Sequence, residues 1–183
     1  MIVGRNHVNQ KKAQYLSAPK LWGYFYRLIW NFCQLRWRRL SAAFYTQFNR
    51  CEEILTKEER PYYVLLVELD GLTYAIPLRS HITHPYCFIA DSSSGQKSGL
   101  DYSKAVVITD SAKYIDPAQV TIRQHEYNFL KQREHLVKKQ FSSYVALYKK
   151  EIRRRQKNSA LPVSALCRYA SLKYFHKELG LCT

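Results

Sequence analysis

The chain has 183 residues, enough for one domain with an adequate core, and its 46% hydrophobic and 14% aromatic content excludes a disordered chain. Its 29 Lys and Arg against 14 Asp and Glu leave a formal charge of +15, which repels itself unless a polyanion relieves it. Nucleic acid is the first such polyanion and an anionic membrane surface the second. The 5 cysteines, without a Cys-x-x-Cys pair, exclude a disulfide framework or zinc ribbon and fit reduced thiols in the cytoplasm.

Residues 1–34 read as a basic, aromatic N-terminal extension, non-native or mobile. Within them Leu21 to Cys33 is too short to span a bilayer. As a helix it would set Gly23, Arg27 and Asn31 on one polar stripe, so it could lie on a membrane surface or pack on the domain. Met1 is the only methionine, and a start codon read too far upstream would account for the extension. The domain proper is expected over 35–183. Leu35 to Leu40 reads as a short strand, and Ser41 caps a helix running to about Phe48. Tyr62 to Leu69 is apolar on both faces, as a central strand is. Asp70-Gly71 is the dipeptide preferred in a type I′ turn, and Leu72 to Leu78 returns as the second arm of a hairpin. Pro77 predicts an edge position or a bulge near the end of that arm.

Tyr86 to Ala90, Ala105 to Thr109 and Val120 to Ile122 are further short strands, with Asp91 to Gly99 a loop by composition. From Gln124 the period turns helical. Val137, Phe141, Tyr144, Val145, Tyr148 and Ile152 keep one apolar stripe, with Lys138, Lys139, Lys149, Lys150, Arg153 and Arg154 off it. Asn158 to Pro162 is a linker, and Ser171 to Leu179 a closing helix ended by Gly180. The fold class is α+β, a compact antiparallel sheet with helices clustered on it.

The hairpin leaves the sheet at Arg79, Ser80 and His81, where a guanidinium, a hydroxyl and an imidazole arrive together on a loop. RNA cleavage by a neighbouring 2′-OH needs those groups: positioning, a proton acceptor and donor, and charge on the phosphate oxygens. Arg79 and Arg60 can neutralise the phosphate, Ser80 can hydrogen-bond it, and His81 can shuttle protons near neutral pH. The bland alternative for such a run is a solvated turn. His81, His84 and Cys87 have metal-like spacing, but Pro85 and the missing fourth ligand argue against zinc, so no metal or cofactor is expected. No nucleophile elbow, P-loop or dinucleotide fingerprint is present. Arg123, Gln124, His125, Tyr127, Lys131, Lys138 and Lys139 interleave cations, polar groups and rings as an RNA grip would, or else form a solvated basic helix face.

The run RPYYVLLVELDGLTYAIPLRSHITHPY, followed by GLDYSKAVVIT, VTIRQHEYNFLK and CRYASLKYFHKEL, resembles the ToxN/AbiQ-like endoribonuclease toxins of type III toxin–antitoxin systems, the TenpIN subgroup most closely. The likeness covers about 35–179. It implies a strongly bent, barrel-like sheet with flanking helices and metal-independent cleavage that leaves a 2′,3′-cyclic phosphate. It implies as partner a small structured antitoxin RNA, processed from tandem repeats and closed with the protein into a cyclic assembly, with cellular or phage RNA as substrate. The family's active-site serine falls on Ser80. The threonine before it falls on Arg79, and the lysine ahead of the hairpin on Arg60, where a guanidinium stabilises charge rather than donating a proton. A second family lysine meets Ile82, and His81 is inferred to take over its work. The helix tyrosine falls among Gln124, His125 and Tyr127. The expectation is a cytoplasmic, metal-independent endoribonuclease. Its rivals are a non-catalytic RNA-binding regulator and a peripheral membrane protein held by residues 21–33.

Overall fold

A computed structural model describes residues 35–54, 63–93, 95–118 and 120–181. The extension of residues 1–34, Arg60 and the tyrosine at the start of the predicted central strand lie outside the described residues.

Chain order begins with strand β1 (Arg36–Leu40) and helix α1 (Ala42–Gln47), whose N-cap is Ser41: its hydroxyl accepts from the Phe44 amide at 3.3 Å. Strands β2 (Tyr63–Leu69) and β3 (Leu72–Arg79) form the predicted hairpin in full register from Leu69↔Leu72 to Val64↔Pro77. Asp70 and Gly71 take φ of 53° and 76°, the left-handed pair that a type I′ turn requires and that an Asp-Gly dipeptide supplies at least cost. Strands β4 (Cys87–Asp91), β5 (Ser98–Asp101), β6 (Val106–Ile108) and β7 (Ile115–Asp116) follow, with a one-turn 3₁₀ segment at Tyr102–Lys104 and the short helix α2 (Ser111–Tyr114) between them. Helices α3 (Gln124–Gln132), α4 (Glu134–Lys157) and α5 (Ala165–Arg168) complete the regular structure, ahead of a 3₁₀ run at Ser171–Phe175.

The seven strands make one antiparallel sheet in the order β4-β5-β3-β2-β1-β7, with β6 also pairing β3. The α+β class holds. The sheet is open rather than closed into a barrel, with β4 at one end of the order and β7 at the other. β3 is its pivot. One edge pairs β2 from Leu72 to Pro77; the other pairs β6 over Thr73 to Ala75 and then β5 at Leu78 and Arg79. Pro77 therefore does not sit on an edge strand, as the sequence suggested. It falls at the break between two successive partners, where a missing N–H removes no ladder bond.

Successive side chains of β3 face opposite ways. Tyr74 meets the Phe141 ring of α4 edge-on at 5.1 Å, while Ala75 and Pro77 border Tyr45 and Ile54. The sheet is a middle layer, which is why β2 and β3 carry apolar residues at nearly every position. Every member of the predicted α4 stripe, from Val137 to Ile152, is buried. Two further expectations fail. Val120 to Ile122 is irregular chain rather than strand: β3 already has partners along both edges and β1 ends its free edge on β7, so Val120 and Ile122 pack on the core from a loop. The closing helix is replaced by the 3₁₀ run and turns, tied down by Leu181 N donating to His176 O at 2.8 Å. Among the described residues no helix is long and apolar enough to cross a membrane.

Candidate functional site

Where β3 leaves the sheet, its last residue is fixed from below. Asp101, at the end of β5, is fully buried, and its Oδ2 accepts a hydrogen bond from Arg79 Nη1. Its Oδ1 accepts from Ser103 N at 3.0 Å and Ser103 Oγ at 2.6 Å. His84 Nε2 lies 3.3 Å from the same oxygen and 3.4 Å from Ser103 Oγ. Ser171 Oγ in turn donates to Ser103 O at 3.1 Å, tying this corner to the C-terminal segment. A buried carboxylate tolerates burial only when its lone pairs are filled and a counter-charge is close, and Asp101 has both. Although serine, histidine and aspartate meet here, they form no nucleophilic triad. Ser103 spends its hydrogen on the carboxylate and does not line the neighbouring groove, so it is not positioned to attack a substrate.

Arg79 and Ser80 then open onto a groove of about 260 Å³ that Arg123, Thr121, Glu126 and Tyr63 also line. Ser80 is exposed. Arg123, also exposed, lines the groove from the N-cap position of the nine-residue helix α3. Glu126, one turn into α3, is buried and held by Ser98 Oγ, which donates to its Oε1 at 2.9 Å. It is the one carboxylate among the described residues that line the groove.

Of the other predicted catalytic residues, Arg60 lies outside the described residues. His81 follows Ser80 directly, exposed and at φ 60°, a left-handed conformation that costs a non-glycine residue about 1 kcal/mol or more. It makes no hydrogen bond to any described residue, whereas His84 is the histidine built into the Asp101 cluster. Ile82, where a lysine was looked for, is buried and donates its N–H to Lys97 O at 3.0 Å.

The predicted RNA grip separates into parts. Arg123 reaches the groove. Gln124 is exposed and its side chain donates to Asn128 Oδ1 at 2.9 Å. His125 Nε2 lies 3.2 Å from Asp91 Oδ2, pinning the first turn of α3 to the end of β4; hydrogen bonds from Ser93, and then from His125, bring the Asp91 carboxyl down to about 2. Tyr127 is half-buried against the core with Lys131 Nζ 5.7 Å above its ring. Lys138 pairs with Glu134 at 2.6 Å, and Lys139 is exposed on α4 away from the first groove.

Sequence reasoning missed Asp101, His84, Ser103 and Glu126. Asp101 and Ser103 stand in the segment GLDYSK without any pattern that announces burial, and Glu126 sits among Gln124, His125 and Tyr127 as the only carboxylate in an otherwise basic stretch. That lone acid was the available signal. Behind Arg79, burial holds the Lys104 ammonium below its ordinary range; it donates to Tyr169 O at 3.0 Å and feels both Asp101 and Arg79. Compared with protein-family models, with curated proteins and with solved structures, the chain matches none.

Proposed function

We propose that the groove at Ser80 cleaves RNA by attack of a ribose 2′-OH on its own 3′-phosphate, leaving a 2′,3′-cyclic phosphate and a 5′-OH. The observation that carries the reading is that exposed Ser80 lines the same groove as Arg79 and Arg123. A phosphodiester seated there meets two guanidiniums and a hydroxyl, the groups that stabilise charge building on its non-bridging oxygens. Glu126 is the groove's proton acceptor: the 2′-OH proton passes to it as the 2′-oxygen bonds to phosphorus and the P–O5′ bond breaks. His81, exposed and next to Ser80 in the chain, returns a proton to the leaving 5′-oxygen in this reading. The net charge of +15 supports a polyanionic substrate. In this reading the chain is a toxin restrained by a small structured RNA, with cellular or phage RNA as its target.

The test is incubation of purified protein with mixed RNA in EDTA. Cleavage that falls by about 100-fold or more in Ser80→Ala supports the enzyme, that being the ordinary cost of removing one donor to a developing oxyanion. RNA bound tightly but left intact favours a non-catalytic RNA-binding protein and removes the cutting reading.

A further inference from the structure

Helix α4 carries a second stripe beside its core one. Leu136, Lys139, Ser143 and Leu147 recur at helical spacing on a face that the sheet does not cover, and Leu136 and Leu147 are 38% and 49% exposed. They form one wall of a groove of about 440 Å³ whose other side is Tyr86. Beneath lie Tyr144 and Tyr102, with the Tyr86 and Tyr144 ring centroids 5.8 Å apart and those of Tyr102 and Tyr144 6.0 Å apart.

Among the described residues no carboxylate lines this groove and no acid pairs with Lys139. An apolar, ring-lined slot with hydroxyl and amide groups and an uncompensated ammonium at its lip suits a flat heterocycle carrying a phosphate. A purely apolar partner would leave the Lys139 ammonium without a counterpart, whereas Ser143 Oγ already donates to Lys139 O at 3.0 Å. The groove also backs onto the first one. The Tyr86 and His84 rings are 6.2 Å apart, His84 contacts Asp101, and Asp101 holds Arg79.

We infer that this second groove takes an unpaired base of the same RNA strand, with Lys139 on the adjoining phosphate. The inference rests on the RNA reading above and adds where the strand is gripped away from the cut. The slot accepts any base by stacking, so it supplies affinity rather than sequence choice, and a duplex, whose bases are stacked on one another, cannot fill it.

The experiment measures anisotropy of a fluorescein-labelled, single-stranded 2′-O-methyl RNA decamer, which cannot be cut, with the full chain. Ser143→Trp fills the slot from an exposed helix position, and Lys139→Glu removes the cation. Lys157→Glu, an exposed change of equal charge at the far end of α4, is the control. The two groove variants are expected to lose about tenfold in affinity at unchanged melting temperature, and the control less than about threefold. Ser143→Trp binding as tightly as wild type overturns the inference. So does a Lys157→Glu loss equal to that of Lys139→Glu, which would mean general attraction alone, or a protein dimer that Ser143→Trp abolishes while leaving RNA binding intact. Because the decamer has no free 2′-OH, the predicted pattern in a protein that cuts no RNA keeps this groove and removes only the cutting reading.

Discussion

The guanidinium of Arg79 is bound to a carboxylate, that of Asp101, which has no contact with solvent at all. The arginine that faces the groove is therefore also the counter-charge of a buried acid, and any change to it acts on stability as well as on function. Arg79→Ala is expected to cost about 3 kcal/mol or more, because Asp101 is left charged and buried with only His84 and Ser103 to answer it. Arg79→Lys keeps the charge but not the planar fork, and is expected to lose less. Urea denaturation of the two variants measures the difference. A loss in Arg79→Ala within 0.5 kcal/mol, the range of an ordinary surface change, would show that the pair is not coupled as the geometry implies.

Gly99 lies on β5 directly opposite Arg79, and it has room for nothing larger. A Cβ there would meet Phe88 O at 2.0 Å and Ala90 N at 2.9 Å, both backbone atoms of β4. Gly99→Ala must then push β4 away from β5, and overpacking of this kind costs about 3 kcal/mol. The expected result is a lowered denaturation midpoint accompanied by loss of RNA cleavage, since β5, the strand forced apart from β4, carries Ser98 and Asp101.

Burial holds the His176 imidazole below its ordinary range, with its Nε2 2.8 Å from the Tyr148 hydroxyl. The folded state disfavours the extra proton, so this residue's contribution is fully present above an unfolded value of about 6.5 and is lost as pH falls below it. Wild-type stability should drop between pH 7.5 and pH 5.5, and His176→Gln should flatten that drop. Equal drops in both proteins would assign the effect to another group.

Much of the fold is legible in the sequence because local chemistry and global arrangement agree there. Asp70-Gly71 fixes the hairpin and its register, Ser41 caps α1, and the 3.6-residue recurrence from Val137 to Ile152 gives α4 and its buried face. The misreadings share a cause. Val120 to Ile122 has strand composition but no strand edge left to join, and Pro77 marks a change of partner rather than an edge; both depend on which strands lie alongside, and that is settled by residues far away in the chain. The site divides the same way. Ser80 and Arg79 could be read from the hairpin exit, and Arg123 from its basic surroundings. Asp101, Ser103 and His84 could not, because a buried acid differs from a surface one only in the neighbours that fold around it.

Two ladder positions, Leu78↔Leu100 and Arg79↔Gly99, are all that join the β4–β5 ribbon to β3, against six for β2. The Arg79–Asp101 link reinforces that seam from the side. Amide protons along β4 and β5 should therefore exchange with solvent sooner than those of the β2–β3 hairpin, by opening of the ribbon as a unit. One wall of the groove at Ser80 is thus its most easily parted piece, and an RNA strand bound across the seam as proposed would slow that exchange by holding the two halves closed.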